Sequence, residues 1–131
     1  MNTEIKKTLD HCVEYATELL TETGEAYPFG AYIDTVGNVH PLEVEIDKRN
    51  IPTIGKVIDQ LNEYCSTEMK EGRMHGYATC YEVGYQLEDD GEKQDAIAID
   101  ITHTEEKVPL YYLPFNTGPQ MEIGELFAVK R

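Results

Sequence analysis

An alternating pattern of side chains over residues 96–113 constrains the fold of this chain more than any other feature. Isoleucines at 97, 99 and 101 alternate with small or acidic residues, residues 104–107 interrupt the pattern, and a second apolar run ends at Pro114. A repeat of two residues is the period of a half-buried β-strand. The stretch therefore predicts two antiparallel strands, 96–103 and 108–113, joined by a short turn.

Two other stretches have the spacing of three and four residues that is typical of amphipathic helices. The first predicted helix spans residues 3–22, with Thr3 as its N-cap and Gly24 where it ends. The second begins at a cap on Asn50, carries Pro52 in its first turn and ends near Gly72. Its predicted apolar stripe consists of Ile54, Val57, Ile58, Leu61, Tyr64 and Cys65, with Met69 as a further candidate.

Three more strands complete the predicted elements. Residues 27–33 and 39–46 form a hairpin around a turn at 34–38, and residues 74–87 form a long third strand. The acidic loop 88–92 joins this strand to the next one. The tail over residues 121–129 alternates only in places and receives no assignment.

The order of elements is one helix, two strands, a second helix and three strands, and short connections make neighbouring strands antiparallel. This order resembles that of the profilin-like and roadblock-type domains over nearly the whole chain. The resemblance implies an α+β fold with two helices and a single five-stranded antiparallel sheet in the order 2-1-5-4-3. At 131 residues, we expect one domain over residues 1–131.

A second resemblance lies in short stretches of sequence. Tyr27-Pro28-Phe29, Asp34-x-x-Gly37 and Leu113-Pro114-Phe115 are similar to small bacterial proteins that share a PF…D..G hairpin and a terminal LP strand. That resemblance brings no settled activity, so it implies no catalytic residue.

Charge narrows the classes of partner. The chain has 11 basic and 25 acidic residues, a formal net charge of −14. Such a surface repels polyphosphates and anionic lipids, so we expect neither nucleic-acid nor membrane binding. A basic protein or a cation would be attracted, although the charge also serves solubility alone. Because there is neither an apolar run long enough to span a bilayer nor an apolar signal region, we predict a cytoplasmic location.

Motifs for catalysis and cofactor binding are lacking in the sequence. The only serine, Ser66, falls in the second predicted helix without a G-x-S-x-G motif, and no Gly-x-Gly-x-x-Gly or Walker pattern is present. We therefore expect no cofactor, and the sequence favours a binding protein over an enzyme. Cys12, Cys65 and Cys80 include no C-x-x-C pair and are predicted to be buried apolar residues.

His75, Asp100 and His103 are the candidate polar groups of a pocket, because they belong to neighbouring predicted strands. Asp100 and His103 are separated by an odd number of positions, which places them on opposite faces of one strand. That arrangement disfavours a shared ion, and we expect no metal site. A structural hairpin is favoured over a catalytic one.

Nine tyrosines stand against three phenylalanines and no tryptophan. Tyr77, Tyr81 and Tyr85 recur on one face of the third strand, with Thr79 on the same face. Tyrosine rings are enriched at protein interfaces, but the same stripe also fits a core face beneath the second helix. Tyr77, Thr79, Tyr81 and Tyr85 are therefore candidate interface residues, with the core alternative left open.

Two functional hypotheses follow. The first is a small, acidic, non-enzymatic protein-binding module, comparable to immunity proteins or roadblock-type scaffolds. The alternative is a small-ligand sensor or enzyme with a pocket lined by histidine and tyrosine. In the order 2-1-5-4-3 the third strand is an edge without proline or lysine, which predicts a homodimer or partner contact there. The competing prediction is that residues 121–131 cover this edge as a sixth strand.

Overall fold

The computed structural model describes residues 2–26, 28–42, 49, 53–86 and 91–129. In chain order the elements are α1 (Thr3–Thr23), β1 (Phe29–Ile33), β2 (Val39–Leu42), α2 (Ile54–Lys70), β3 (Gly76–Tyr85), β4 (Gln94–His103), β5 (Leu110–Thr117), β6 (Met121–Ile123) and β7 (Phe127–Val129). The predicted α+β class with two helices and an antiparallel sheet is confirmed. The predictions on Tyr27, residues 43–46, Asn50, Pro52, Leu87 and 88–90 lie outside the described residues.

The sheet has seven strands rather than five, and the predicted order 2-1-5-4-3 is wrong. The observed order is β2-β1-β3-β4-β5-β6, and β7 also pairs with β5. β3 lies between β1 and β4, since Ala78 is opposite Ala31 on one side and opposite Ile101 on the other. The prediction that the third strand is an edge therefore fails for its first half.

Small residues explain why β3 lies inside the sheet. All five residues from Gly76 to Cys80 are buried. A Cβ on Gly76 would lie 2.6 Å from the carbonyl oxygen of Thr102, and one on Gly30 would lie 2.8 Å from that of Ala78. Real Cβ atoms do not approach that closely, so the tight contact of β1, β3 and β4 depends on these glycines.

α1 begins and ends on specific backbone contacts. Its N-cap is Asn2, not the predicted Thr3: the Asn2 side chain accepts hydrogen bonds from the N–H groups of Glu4 and Ile5. The helix ends at Gly24, as predicted, in the left-handed conformation with φ 75°.

α2 begins at a cap on Thr53, whose Oγ1 accepts from the N–H of Lys56. Within the predicted apolar stripe, Val57, Leu61 and Cys65 are buried, whereas Ile54 and Tyr64 are 56% and 53% exposed. Neither described helix combines the length and the apolar character needed to cross a membrane.

The two helices pack on opposite faces of the sheet. α1 packs against the larger core cluster, whose strand residues are Phe29, Ala31, Ala78, Cys80, Ile97, Ile99, Ile101, Leu113 and Phe115. The other face carries a smaller cluster beneath α2, formed by Cys65, Met74 and Tyr77 with Tyr32, Leu42 and Met69. All three cysteines are buried, as predicted.

The unassigned tail forms β6 and β7, which return along β5 and not along β3. Between the Phe115–Ile123 pair and the Tyr112–Phe127 pair, two residues of β5 face three of the returning chain, 124–126. This extra residue is a β-bulge. β5 continues past Pro114 to Thr117, although we predicted that Pro114 would end it. Gly124 N–H donates to the Pro114 carbonyl at 2.8 Å, so the missing N–H of Pro114 faces the bulge.

Candidate functional site

α2 covers only part of its face of the sheet. The helix packs mainly on β1 and β3, and the Thr79 hydroxyl donates to Asn62 Oδ1 at 2.7 Å beneath it. Beyond α2 the same face continues over the second half of β3 and over β4, β5 and β7. We call this part the aromatic face, and it consists of Tyr81, Val83, Tyr85, Ala96, Ala98, Asp100, Thr102, Leu110, Tyr112, Pro114, Phe127 and Val129.

Three rings form a cluster on the aromatic face. Tyr85 lies 5.4 Å from Tyr112 and 5.7 Å from Phe127, and the rings of Tyr112 and Phe127 are 5.8 Å apart. The ring planes meet at angles between 48° and 76°, the tilted geometry that aromatic pairs favour. Each residue is only half-buried, so a preformed aromatic surface remains accessible to a partner.

The sheet register brings this cluster together. Tyr112 is directly opposite Phe127 in the β5–β7 pair, and Tyr85 lies at the end of β3, two strands away across β4. Between them on β4, Ala96 and Ala98 are fully buried. Small side chains on the middle strand let the larger rings of the outer strands meet above it.

The predicted tyrosine stripe divides between the core and the aromatic face. Tyr77 and Thr79 are 8% and 1% exposed and belong to the core. Tyr81 and Tyr85 are half-buried on the aromatic face. The candidate interface predicted from the sequence did not include Tyr112 or Phe127. Phe127 lies beyond a bulge that interrupts the two-residue period.

A polar cluster lies at the opposite end of β3. Glu4, in the first turn of α1, lies between two histidines: His103 Nε2 is 2.9 Å from Glu4 Oε1, and His75 Nδ1 is 3.4 Å from both carboxylate oxygens. The hydrogen bond with His103, reinforced by His75, lowers the pKa of Glu4 below its ordinary value. The structure thus brings together His75 and His103, two of the three candidate pocket groups.

The hydrogen bonds of His103 define its tautomer. The Glu105 N–H donates to His103 Nδ1 at 3.1 Å, so that nitrogen is unprotonated and the proton is on Nε2, where it is donated to Glu4. The His103 side chain is 1% exposed. Because both ring nitrogens are engaged, this neutral imidazole anchors the end of β4 to α1 and has no nitrogen left for a substrate.

Asp100 lies apart from this cluster, as its odd separation from His103 predicted. It faces the aromatic side and is opposite Thr79, whereas His103 is opposite Gly76 on the α1 side. A groove of about 340 Å³ at the end of β4 is lined by Asp100, Ile101, Thr102, His103, Glu106, Lys107 and Val108. Its wall carries both charge signs, which does not select one class of small ligand.

Metal-binding and thiol chemistry also find no support over residues 2–26, 28–42, 53–86 and 91–129. In these ranges no group of three His, Cys, Asp or Glu side chains is placed to hold an ion. Burial raises the pKa of Cys65 to about 12, with a smaller contribution from Glu68. Burial, together with contact with Cys12, also raises the pKa of Cys80 well above its ordinary value. Such thiols are poor nucleophiles.

Comparison with known proteins gave no match: no family model, no curated protein and no solved structure matches this chain.

Proposed function

We propose that this chain is a non-enzymatic protein-binding module whose aromatic face binds a basic protein. The cluster of Tyr85, Tyr112 and Phe127 is the observation that carries the proposal. Aromatic side chains bury a large area at a small cost in conformational entropy, and they are enriched where proteins bind one another. Rings that already pack together lose little further freedom when a partner covers them.

The charge of the chain supports a basic partner over a second copy. Two chains of net charge −14 repel each other, whereas a basic protein is attracted and its association is accelerated. The sequence suggested a homodimer through the third strand because that strand was predicted to be a sheet edge. The first half of β3 is not an edge, since β1 pairs with it.

The test compares two variants that each remove one accessible apolar side chain. Phe127→Ser removes a ring of the cluster, and Val36→Ser changes a residue that is 78% exposed in the turn between β1 and β2. Immobilised wild type and variants are incubated with native lysate, and captured proteins are quantified at low and high salt after equal folding is shown by urea unfolding.

The proposal predicts a basic protein that is captured by the wild type and by Val36→Ser, and at least tenfold less by Phe127→Ser. Its capture should fall as salt rises, because screening weakens electrostatic association. Equal capture by Phe127→Ser, or a captured protein that is acidic, would contradict the proposal.

A further inference from the structure

The ladder between β1 and β3 stops halfway along β3. β3 pairs with β4 over all ten residues from Gly76 to Tyr85, but β1 begins at Phe29, opposite Cys80. The residue before Phe29 is Pro28, which has no N–H to extend the ladder. Within the ranges that the structure describes, no strand lies beside residues 82–85 on the side of β1.

The chain that leads into β1 contacts this segment through a side chain. The N–H of Ala26 donates to Glu82 Oε1 at 2.7 Å, so the carboxylate of Glu82 replaces a backbone acceptor at this point. A Cβ built on Gly84 would have no atom within 4 Å, so the α1 side of this segment is open at Gly84. In a strand every second residue directs its N–H and C=O away from a given neighbour.

The two faces of the segment 82–85 of β3 carry different kinds of side chain. Glu82 shares the α1 side with Gly84 and with Asp95, which is opposite Gly84 on β4. All three are exposed. Val83 and Tyr85 lie on the other side, on the aromatic face, and Tyr85 belongs to its ring cluster. Neither lysine nor proline, the residues that usually protect an edge, occurs in residues 82–85.

We propose that residues 82–85 of β3 receive an extended segment of the basic partner, which adds to the sheet as a further strand. Successive side chains of such a segment point to opposite faces. One set would lie beside Glu82 and Asp95 and is therefore basic, and the other would lie beside Val83 and Tyr85 and is therefore apolar. The partner segment thus alternates basic and apolar residues, with backbone hydrogen bonds supplying affinity and side chains supplying specificity. This inference rests on the proposed function and names its mode of recognition.

The test uses the full chain, labelled with ¹⁵N, and three synthetic eight-residue peptides. The first alternates lysine and valine, the second is the same peptide with N-methyl groups on alternate residues, and the third alternates glutamate and valine. N-methylation keeps the charges and side chains but removes the N–H groups along one edge of the peptide. Amide shifts and hydrogen exchange are followed at physiological salt.

We expect saturable binding of the lysine–valine peptide, with shifts centred on residues 82–85 and at least tenfold slower amide exchange there. Binding should weaken at least tenfold for the N-methylated peptide and vanish for the glutamate–valine peptide. Equal binding of the N-methylated peptide would overturn strand addition. So would amides of residues 82–85 that are already protected in the isolated chain, whether by the chain itself or by a second copy.

The two proposals fail in different ways. If no lysine–valine peptide binds but Phe127→Ser still abolishes capture of a basic protein, strand addition is wrong and the aromatic face remains the binding surface. If capture does not depend on Phe127 either, both proposals are wrong.

Discussion

Phe127 lies opposite Tyr112 because the returning chain contains one residue more than β5 between the two paired segments. Without this extra residue, the register of β6 would continue and place Leu126 opposite Tyr112, with Phe127 on the α1 side. The bulge therefore directs Leu126 toward the α1 core, where it packs, and Phe127 toward the aromatic face. Bulges commonly redirect side chains in this way, and this one completes the cluster on which the proposed function depends.

The close approach of β3 to its neighbours predicts that Gly76→Ala destabilises the fold. A Cβ there would lie 2.6 Å from the Thr102 carbonyl oxygen, and such overpacking costs about 1–3 kcal/mol. Gly84→Ala is the matched control in the same strand, since its Cβ meets nothing within 4 Å. Alanine has less backbone freedom to lose than glycine, so this variant should gain roughly 0.5–1 kcal/mol. Urea unfolding of both variants measures the difference, and equal effects would contradict the close packing.

Removal of the Glu4 carboxylate predicts a loss of stability that depends on the replacement. Glu4→Ala leaves the buried His103 Nε2–H without its acceptor, which costs about 1–3 kcal/mol. Glu4→Gln keeps an acceptor oxygen and should cost less than Glu4→Ala at pH 7. Glu18→Gln, at an exposed position of the same helix, controls for the loss of one negative charge. The measurement is urea unfolding at pH 7. If the free energy of unfolding of Glu4→Ala is no lower than that of Glu18→Gln, His103 does not need this partner.

The lowered pKa of Glu4 predicts how the effect of Glu4→Gln varies with pH. A carboxyl whose pKa is lower in the folded than in the unfolded protein contributes stability above its unfolded pKa, and loses that contribution as pH falls through the folded value. The stability difference between wild type and Glu4→Gln should therefore shrink as the pH falls below 4.5, the ordinary value. Urea unfolding at several pH values between 7 and 3 tests this. A difference that grows on acidification would have the wrong sign.

The buried thiols predict slow chemical labelling. Cys12, Cys65 and Cys80 are all buried, and burial raises the pKa of Cys65 to about 12, so little thiolate exists at pH 8. In the native protein, iodoacetamide should modify none of the three within the time that suffices for all three in guanidinium chloride. Mass spectrometry counts the adducts. Rapid modification of Cys65 in the native protein would show that α2 does not hold it in the core.

The α1 side of the sheet could be predicted from the sequence because its side chains follow a simple period. Ile97, Ile99 and Ile101 alternate as a buried face should, and all three are buried. The strand that lies beside β3 could not be predicted in this way. Residues 76–80 are small or apolar on both faces, so their side-chain pattern does not indicate which strand pairs with them. The glycines at 30 and 76 carry that information, but only once the strands are placed side by side.

The candidate site was predictable only in part. The sequence placed Tyr85 on a candidate interface and Asp100 and His103 on opposite faces, but it gave no reason to join Tyr85 to Phe127. That contact depends on a bulge beside Pro114, where β5 continues although proline interrupts its hydrogen bonding. Likewise, no spacing in the sequence connects Glu4 with His103, because the end of a distant strand meets the first turn of α1.

Site-specific photocrosslinking from position 127 shows whether the aromatic face itself contacts a basic protein. Benzoylphenylalanine is placed at position 127 and, as controls, at positions 36 and 64, where Val36 in the β1–β2 turn and Tyr64 on α2 are 78% and 53% exposed. After irradiation in native lysate, we predict a covalent adduct to a basic protein from position 127, none from the two controls, and a lower yield as salt rises. The aromatic face would not be the binding surface for a basic protein if position 127 gave no adduct, if a control position gave an equal adduct, or if the adduct were to a second copy of this chain.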